Sequence, residues 1–487
     1  MMGEQVELAI VGAGPAGLAA AIEAAKLGVE TVVLDMYPQA GGQYFKLPSA
    51  GFAPSSITGV ERAGQALMES ARQAGAELRL EHVTWALYPD QPILLCATAG
   101  TQAYRLRPQQ IVIASGAYDR PVPFPGWTLP GVLTAGGVQV MLKNQRVLPG
   151  RRFLLAGTGP LQWAVGASLV VAGAEVTALL ESRRPLELAK QWVYFEALLG
   201  QGERLREGWR YWRVLHAAGV PIRFGWAVAR AEGGQAVERA VIVRLDESGR
   251  PVAGTEQTLP VDAICLGYGL LPSAELWRQL NCQWQLDRHF GTPVPIRNEW
   301  MATSVAGVFV VGDAAGIVGK EAAMLEGRLA GLAIAQQLGR LSPAEAEELA
   351  RPLRKRLVKE YRFAQFLAEA FALPAGLWNL ADDDTVVCRC EGVTLRQIKQ
   401  ALVDGATLFP DVKAYTRAGM GRCQGRMCVS WIMQFMARRL GQDLQRTHQY
   451  QVRPPAFPVS LEEVRGLGVC ESAARLERPA ATVDGGR

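Results

Sequence analysis

Histidine is scarce in this chain: His82, His216, His289 and His448 are the only four among 487 residues. None is near the main cysteine cluster, which argues against a Cys/His zinc site. Any long block of one charge is also missing. The net charge is only +5 and the basic residues are dispersed, so nothing in the sequence demands nucleic acid. The opening stretch MMGEQVELAIVGAG has no basic n-region and no cleavable apolar run, so no secretion signal is expected. With eight unevenly placed cysteines and no such signal, a disulfide framework is not expected, and a reducing, cytoplasmic setting is. The longest uncharged run, Phe153 to Ala174, is broken by Gly157, Gly159, Pro160, Gly166 and Gly173. It reads as strand, glycine turn and helix rather than as a transmembrane segment. No C-x-x-C or C-x-x-x-x-C pair precedes Cys388, which removes a dithiol relay. No Ser/His/Asp or Cys/His triad and no carboxylate pair with a clear acid/base role is visible, so no catalytic residue is assigned.

What is present begins with VELAIVGAGPAGLAAAIEAAKLGVETVVLD, Val6 to Asp35. A short apolar strand runs into Gly12-Ala13-Gly14-Pro15-Ala16-Gly17, a helix follows to Leu27, Gly28 stops it, and a second strand ends on Asp35. Gly12 permits the tight turn, Gly14 admits a pyrophosphate to the backbone, and Gly17 lets helix and strand pack closely. The helix N-terminus offers free N–H groups to phosphate, and Asp35 can accept from a ribose hydroxyl. Downstream, AGVFVVGDAAG (Ala306 to Gly316) places Gly312 and Asp313 after an apolar strand. That segment resembles the second FAD signature of the two-dinucleotide-domain flavoproteins, in which the aspartate binds the ribitol chain. IVIASGAYDRPVPFPG (Ile111 to Gly126), with Ser115 and Gly116, resembles the turn before the crossing into their second domain. GGQYFK (Gly41 to Lys46), with Gly42 and Gln43, falls where that family lines the flavin. FAD is the expected ligand. Asp35 stands where a glutamate is more usual, which leaves NAD(P) or another adenine nucleotide such as ATP open.

RRFLLAGTGPLQWAVGASLVVAGAEVTALLE, Arg151 to Glu181, repeats the plan with Gly157 and Gly159, but Gln162 holds the third glycine position. Gln162 is expected to push the helix from the strand and crowd a pyrophosphate. Arg183 and Arg184 follow Glu181 and suit either a 2′-phosphate or plain solvation. The chemical focus of the remainder is a cysteine cage, Cys388 and Cys390 as C-x-C and Cys423 and Cys428 as C-x-x-x-x-C. Four thiolates in two close pairs suit tetrahedral zinc or an iron–sulfur cluster, and C-x-C is unusual for structural zinc. Between the pairs, Thr394 and Gln397 have capping-box spacing before a helix with Leu395, Ile398, Ala401 and Leu402 on one face. After them VSWIMQFMARRLG reads as a helix stopped at Gly441. Arg417 and Arg422 lie beside the cage, placed to offset thiolate charge or simply to be solvated.

The cysteine segment resembles the bacterioferritin-associated-ferredoxin-type [2Fe–2S] domain, with all four ligand positions filled. Taken with GAGPAG, the weakened second nucleotide fold, the Gly312-Asp313 segment, TRAGMGRCQGRMC and VRPPAFPV, nearly the whole chain resembles a known subunit type. That type, which the chain resembles, is the α subunit of heteromeric amino-acid and amine dehydrogenases: hydrogen cyanide synthase, opine oxidase, hydroxyproline or proline dehydrogenase, and sarcosine oxidase. The resemblance implies an α/β two-dinucleotide-binding-domain flavoprotein, the second nucleotide fold inserted in the first, plus a small helical [2Fe–2S] domain. It implies FAD, a [2Fe–2S] cluster at Cys388, Cys390, Cys423 and Cys428, and room for an FMN at a subunit interface. The implied partners are a catalytic β subunit with its own FAD and a small third ferredoxin-like subunit; no nucleic acid is among them. The implied role is relay of electrons from the partner's flavin. A self-contained NAD(P)H-dependent flavoprotein reductase and a non-catalytic scaffold are the alternatives. Expected boundaries are 1–125 with 291–340 for the FAD domain, 126–290 for the second fold, and 341–379 for a charged, solvated helical connector. The cluster domain is expected at 380–445 and a surface tail at 446–487.

Overall fold

The computed structural model describes residues 3–48, 59–185, 196–448 and 450–467. Cys470 and the end of the expected tail lie outside the described residues. Strand β1 (Glu4–Val11) is apolar on both faces and buries Val6, Leu8, Ala9 and Ile10, as the central strand of a sheet covered on both sides must. After it come α1 (Pro15–Lys26), β2 (Thr31–Asp35), α2 (Gly59–Gln73), β3 (Glu77–Leu80), β4 (His82–Tyr88), β5 (Leu94–Ala99) and β6 (Gln102–Ile113). The strand order is β3-β2-β1-β6-β5-β4, and the strand Val308–Val310 adds parallel to the last part of β6. Val11 lies opposite Leu34 and Ile113, and Val310 lies opposite Ile113. The carboxyl ends of these parallel strands therefore finish together. They deliver the Gly12–Gly14 turn, Asp35, Ser115–Gly116 and Gly312–Asp313 to one edge, where open α/β sheets take ligands.

Helix α1 is alanine-rich and begins with Pro15 at its first turn, where the missing N–H costs nothing. Its small side chains let the Lys320–Gln337 helix approach: a Cβ on Gly327 would collide with the Ala16 carbonyl. The chain leaves this unit through β7 (Ala117–Asp119) and returns through Leu270–Pro272, and these two crossings pair antiparallel. Between them lie β8 (Val132–Thr134), α3 (Ala135–Lys143), β9 (Arg152–Gly157), α4 (Pro160–Val171) and β10 (Glu175–Glu181). With Ile222–Phe224 and Ala263–Gly267 the strands form a five-stranded parallel sheet, and Trp226–Glu232, Arg239–Arg244 and Gln257–Pro260 form a separate antiparallel one. Cys96 and Cys265 are buried in strands, and Cys282 is buried beside Thr303.

The connector is a long helix, Pro343–Ala370, opened by a Ser342/Glu345 capping box. It is solvated on one face only. Ala346, Ala350, Leu353 and Leu357 are buried, and the last three belong to the core that α1 and the Lys320–Gln337 helix share. The last unit packs Trp378, Ile398, Val412, Trp431, Ile432 and Met436 around the cysteine segment. Thr394 and Gln397 cap the helix Leu395–Val403 reciprocally, and the helix Val429–Leu440 ends at Gly441 in the left-handed conformation (φ +62°). Among the described residues no helix is long and apolar enough to cross a membrane.

Candidate functional site

At the first sheet edge the glycines act through space, not only through dihedral angles. Gly12 has φ +109°, and a Cβ on Gly17 would collide with the Gly12 carbonyl oxygen. At Gly14 a Cβ would meet only the Gly42 Cα, at 3.8 Å. That position thus faces an opening, bounded on its other side by the Gly41-Gly42 turn, whose Gly41 N–H donates to Ala13 O at 2.7 Å. Such a cradle of bare backbone at a helix N-terminus has the shape and the donors for a pyrophosphate.

Asp35 closes the cradle. Its Oδ2 accepts from Ala13 N at 2.6 Å and its Oδ1 from Tyr37 N at 2.9 Å. Burial nevertheless raises its pKa above the usual carboxylate range, against those two bonds and the nearby Lys46. The Lys46 ammonium lies 3.8 Å from the centroid of the Tyr37 ring, and Gln43 Nε2 donates to the Tyr37 hydroxyl at 3.3 Å. Lys46 gives no distinct signal of its own in the sequence, although GGQYFK contains it. Across the edge, Asp313 Oδ1 accepts from Val318 N at 3.0 Å and Gly319 N at 3.3 Å, and burial raises its pKa too. The turn before it is held from below: Gly312 N–H donates to Glu326 Oε2 at 2.7 Å. Glu326, fully buried, also accepts from Arg297 at 2.8 Å and from Tyr361 of the connector helix at 2.6 Å. Ser115 is turned away, its hydroxyl donating to Ser273 O at 3.0 Å, while Gly116 takes φ +70°. The structure thus gathers Gly12 to Gly17, Asp35, Gly42, Gln43, Ser115, Gly116, Gly312 and Asp313 around one edge, with Ser115 bonded to the crossing strand.

The second nucleotide fold differs from the sequence expectation. Gln162 does not push α4 away. Gly267, on the neighbouring strand, has no side chain, and the slot where its Cβ would sit lies 3.3 Å from the Gln162 Cβ. The Gln162 amide turns inward and donates to Glu181 Oε2 at 3.0 Å, beside Gly159 N at 3.0 Å. Glu181 Oε1 accepts from Arg183 N at 3.0 Å. Burial pushes the Glu181 carboxyl up to about 7 despite these bonds. The glycine loop is also covered. Thr158 Oγ1 donates to Phe371 O at 3.4 Å and Arg183 Nε to Ala370 O at 3.2 Å, and the Phe371 Cβ lies 3.5 Å from where a Gly159 Cβ would be. Arg184 is engaged as well, 3.5 Å from Glu247.

In the last unit Cys388 ends a strand, Cys390 follows on the surface, and Cys428 is the cap residue of the Val429–Leu440 helix. The thiols contact each other as Cys388 with Cys428 and Cys390 with Cys423. Each pair joins one member of C-x-C to one of C-x-x-x-x-C. The Cys428 thiol and the backbone N–H groups of Gly419, Glu391 and Cys390 outweigh burial at Cys388 and lower its pKa to about 6, so the thiolate is favoured there. Burial raises Cys423, which the Met427 and Gly425 N–H groups face. Among the described residues no three His, Cys, Asp or Glu side chains lie close enough together to hold one metal ion. Two thiol pairs with N–H groups aimed at sulfur fit a two-iron cluster, which takes two thiolates per iron, better than one closed zinc tetrahedron. Cys388 and Cys428 are buried, Cys423 is half-buried and Cys390 is exposed. Arg417, beside the cage, is paired with Glu391 at 2.9 Å, and Arg422 is exposed.

The comparisons agree with this geometry. Residues 6–339 match the family model for pyridine nucleotide-disulphide oxidoreductases, and residues 386–438 match that for the BFD-like [2Fe-2S] binding domain. These imply FAD and an iron–sulfur cluster. The chain is 34% identical to an opine oxidase subunit of Rhizobium meliloti (strain 1021), over 94% of this chain and 98% of that protein. It is 33% identical to the hydrogen cyanide synthase subunit HcnB of Pseudomonas aeruginosa, over 92% and 96%. Among solved structures, L-proline dehydrogenase from P. horikoshii superposes with a TM-score of 0.67 at 20% identity, covering 95% of this chain and 80% of that one.

Proposed function

Because this chain belongs to the family of flavin oxidoreductases that contains the opine oxidase subunit and the hydrogen cyanide synthase subunit HcnB, we propose that it is the electron-transfer subunit of a heteromeric flavin-dependent dehydrogenase. The substrate class is an amino acid, secondary amine or opine, oxidised in a partner subunit that carries its own FAD. In this proposal residues 1–125 with 291–340 form the FAD domain, 126–290 a nucleotide-like domain that binds none and whose last part, after the return at Leu270–Pro272, packs on the FAD domain, and 341–379 the connector. Residues 380–445 form the cluster domain and 446–487 the tail.

When bound, FAD exchanges electrons in pairs or singly and a [2Fe–2S] cluster only singly. The chain's residues supply the places. The free N–H groups at the N-terminus of α1 and the opening at Gly14 would receive the pyrophosphate, Asp35 would hold a ribose hydroxyl and Asp313 the ribitol. Gly42, Gln43 and Gly116 line the cradle, and Ser115 holds the crossing strand. Cys388, Cys390, Cys423 and Cys428 supply thiolates to the iron pair.

The observation that carries this reading is the covered second loop. Ala370 and Phe371 lie on Thr158 and Gly159. A self-contained NAD(P)H reductase needs that loop open to the pyrophosphate of its nicotinamide nucleotide. The test is to isolate the chain anaerobically, alone and with its partner subunit, and to record absorbance, EPR, iron and sulfide. FAD and a [2Fe–2S] signal are expected in the chain alone, with no turnover of amino acids or amines until the partner is added and no bleaching by NADH. Turnover by the chain alone, or rapid bleaching by NADH, overturns the proposal.

A further inference from the structure

The short helix Glu275–Gln279 carries no motif in the sequence, yet it touches three functional segments. Trp277 Nε1 donates to Ala314 O at 3.1 Å, in the Gly312-Asp313-Ala314 turn. Just before the helix, Ser273 is bonded to the other flavin-side turn: its N–H donates to Gly116 O at 2.9 Å and its O accepts from Ser115 at 3.0 Å. The Ser273 hydroxyl then donates to Glu275 Oε2 at 3.0 Å. Glu275 Oε1 is 3.2 Å from the Nε of Arg426, and both side chains are mostly buried (16% and 15% exposed).

Arg426 lies between two of the cysteines. Its Nη1 donates to the carbonyl of Cys423 at 3.3 Å and its Nη2 to Ala456 O at 3.1 Å, and its guanidinium lies 4.3 Å from the centroid of the Phe457 ring. All three guanidinium nitrogens are therefore engaged. A planar fork with fixed donor directions does this, and a lysine cannot reproduce it. The bonds run unbroken from the Ser115–Gly116 turn through Ser273, Glu275 and Arg426 to the backbone of Cys423.

We propose that Arg426 and Glu275 are a positioning pair that registers the cysteine loop against the flavin-side turns and sets the charge felt by the iron pair. This rests on the electron-transfer reading. Neither residue touches a reacting atom. The pair is neutral as a whole, so removing one member exposes the other's charge near the thiolates. A nearby cation favours the reduced, more negative cluster and a nearby anion opposes it.

The test uses the full chain with its partner subunit, in variants R426M, R426K and E275Q. The readouts are iron and sulfide per chain, the cluster midpoint potential by EPR-monitored titration, and the rate of cluster reduction after flavin reduction. The potential is expected to fall in R426M and to rise in E275Q. R426K should stay near the wild-type potential while cluster reduction slows, because charge is kept and registration is lost. A purely structural pair would shift both potentials in one direction or leave them unchanged, and either result with iron retained overturns the inference. If R426M purifies without iron, E275Q and R426K decide: no rise in E275Q overturns the inference. In all of these the proposed function survives, since it fails separately, when wild-type chain contains no iron or sulfide.

Discussion

The two nucleotide folds of this chain are drawn to one plan and put to different ends. In the first, Asp35 caps a glycine loop that faces an opening at Gly14, and the third glycine, Gly17, packs on the Gly12 carbonyl. In the second, Gln162 takes the third position, Glu181 is sealed inside, and the end of the connector helix lies across the loop. The acids end in similar surroundings, both bonded to backbone N–H and both raised by burial, to about 7 for Glu181. What separates the folds is therefore access to the loop. A glycine fingerprint marks a place where phosphate could approach, and the rest of the chain decides whether anything reaches it.

The comparison breaks most sharply at the glycines of the first fold. Gly17→Ala drives a Cβ into backbone that cannot move aside, so it should cost more than about 3 kcal/mol and leave little folded protein. Gly14→Ala has room, and its dihedrals (φ −77°, ψ −176°) suit any residue. Its stability should stay within about 0.5 kcal/mol of wild type, while flavin per chain, read by absorbance, falls sharply. Equal stability losses in the two would remove the distinction between a packing glycine and a cradle glycine.

Beneath the same site, Glu326→Ala leaves Arg297 buried without its carboxylate. A loss of about 3–5 kcal/mol in denaturant unfolding is expected, together with weaker flavin retention, since the Gly312 N–H loses its acceptor. A variant as stable as wild type would show that the Gly312 turn needs no such floor.

How much of this is legible in the chain depends on sequence distance. GAGPAG with Asp35 and the four cysteines are legible, because the spacing that matters is fixed within a few residues or by a repeated pair. The helices at Leu395 and Val429 are legible because caps and apolar periodicity are local. Glu326 with Arg297 and Tyr361, and Glu275 with Arg426, give no such signal. Their partners are brought together only by tertiary packing, and each residue alone looks like an ordinary surface polar or charged group. Gln162 misleads for the same reason. Its effect depends on Gly267, a residue far along the chain that leaves a slot for it. The connector reads as solvated because its charges dominate the composition, whereas the three- and four-residue spacing of Ala346, Ala350, Leu353 and Leu357 carries the buried face.

In the second fold the Glu181 carboxyl offers a pH test. Its pKa rises from 4.5 to about 7 on folding, so the folded state holds the proton more tightly than the unfolded chain. The resulting stabilisation is complete below about pH 4.5 and is lost as pH rises through about 7. The change is on the order of 3 kcal/mol. Denaturant midpoints from pH 5 to pH 8 should fall by this contribution in wild type, and Glu181→Gln, which cannot titrate, should lack it. Equal slopes in the two proteins would mean that Glu181 is not sealed inside, and the covered loop would lose its floor.

The cover over the second loop sharpens the comparison at its smallest scale. Thr158→Val removes the hydroxyl that bonds Phe371 O at a long 3.4 Å and also faces Glu181, so the cost should be about 1 kcal/mol. Its value lies in what remains. Arg183 still holds Ala370 O, and Gly159 N and Gln162 still occupy Glu181. Hydrogen exchange around residues 370–372 should therefore quicken slightly while NADH still fails to bind by fluorescence titration. If so small a change opened the loop to NADH, the cover would be a gate rather than a seal, and the second fold would be a nucleotide site held closed by a single hydroxyl.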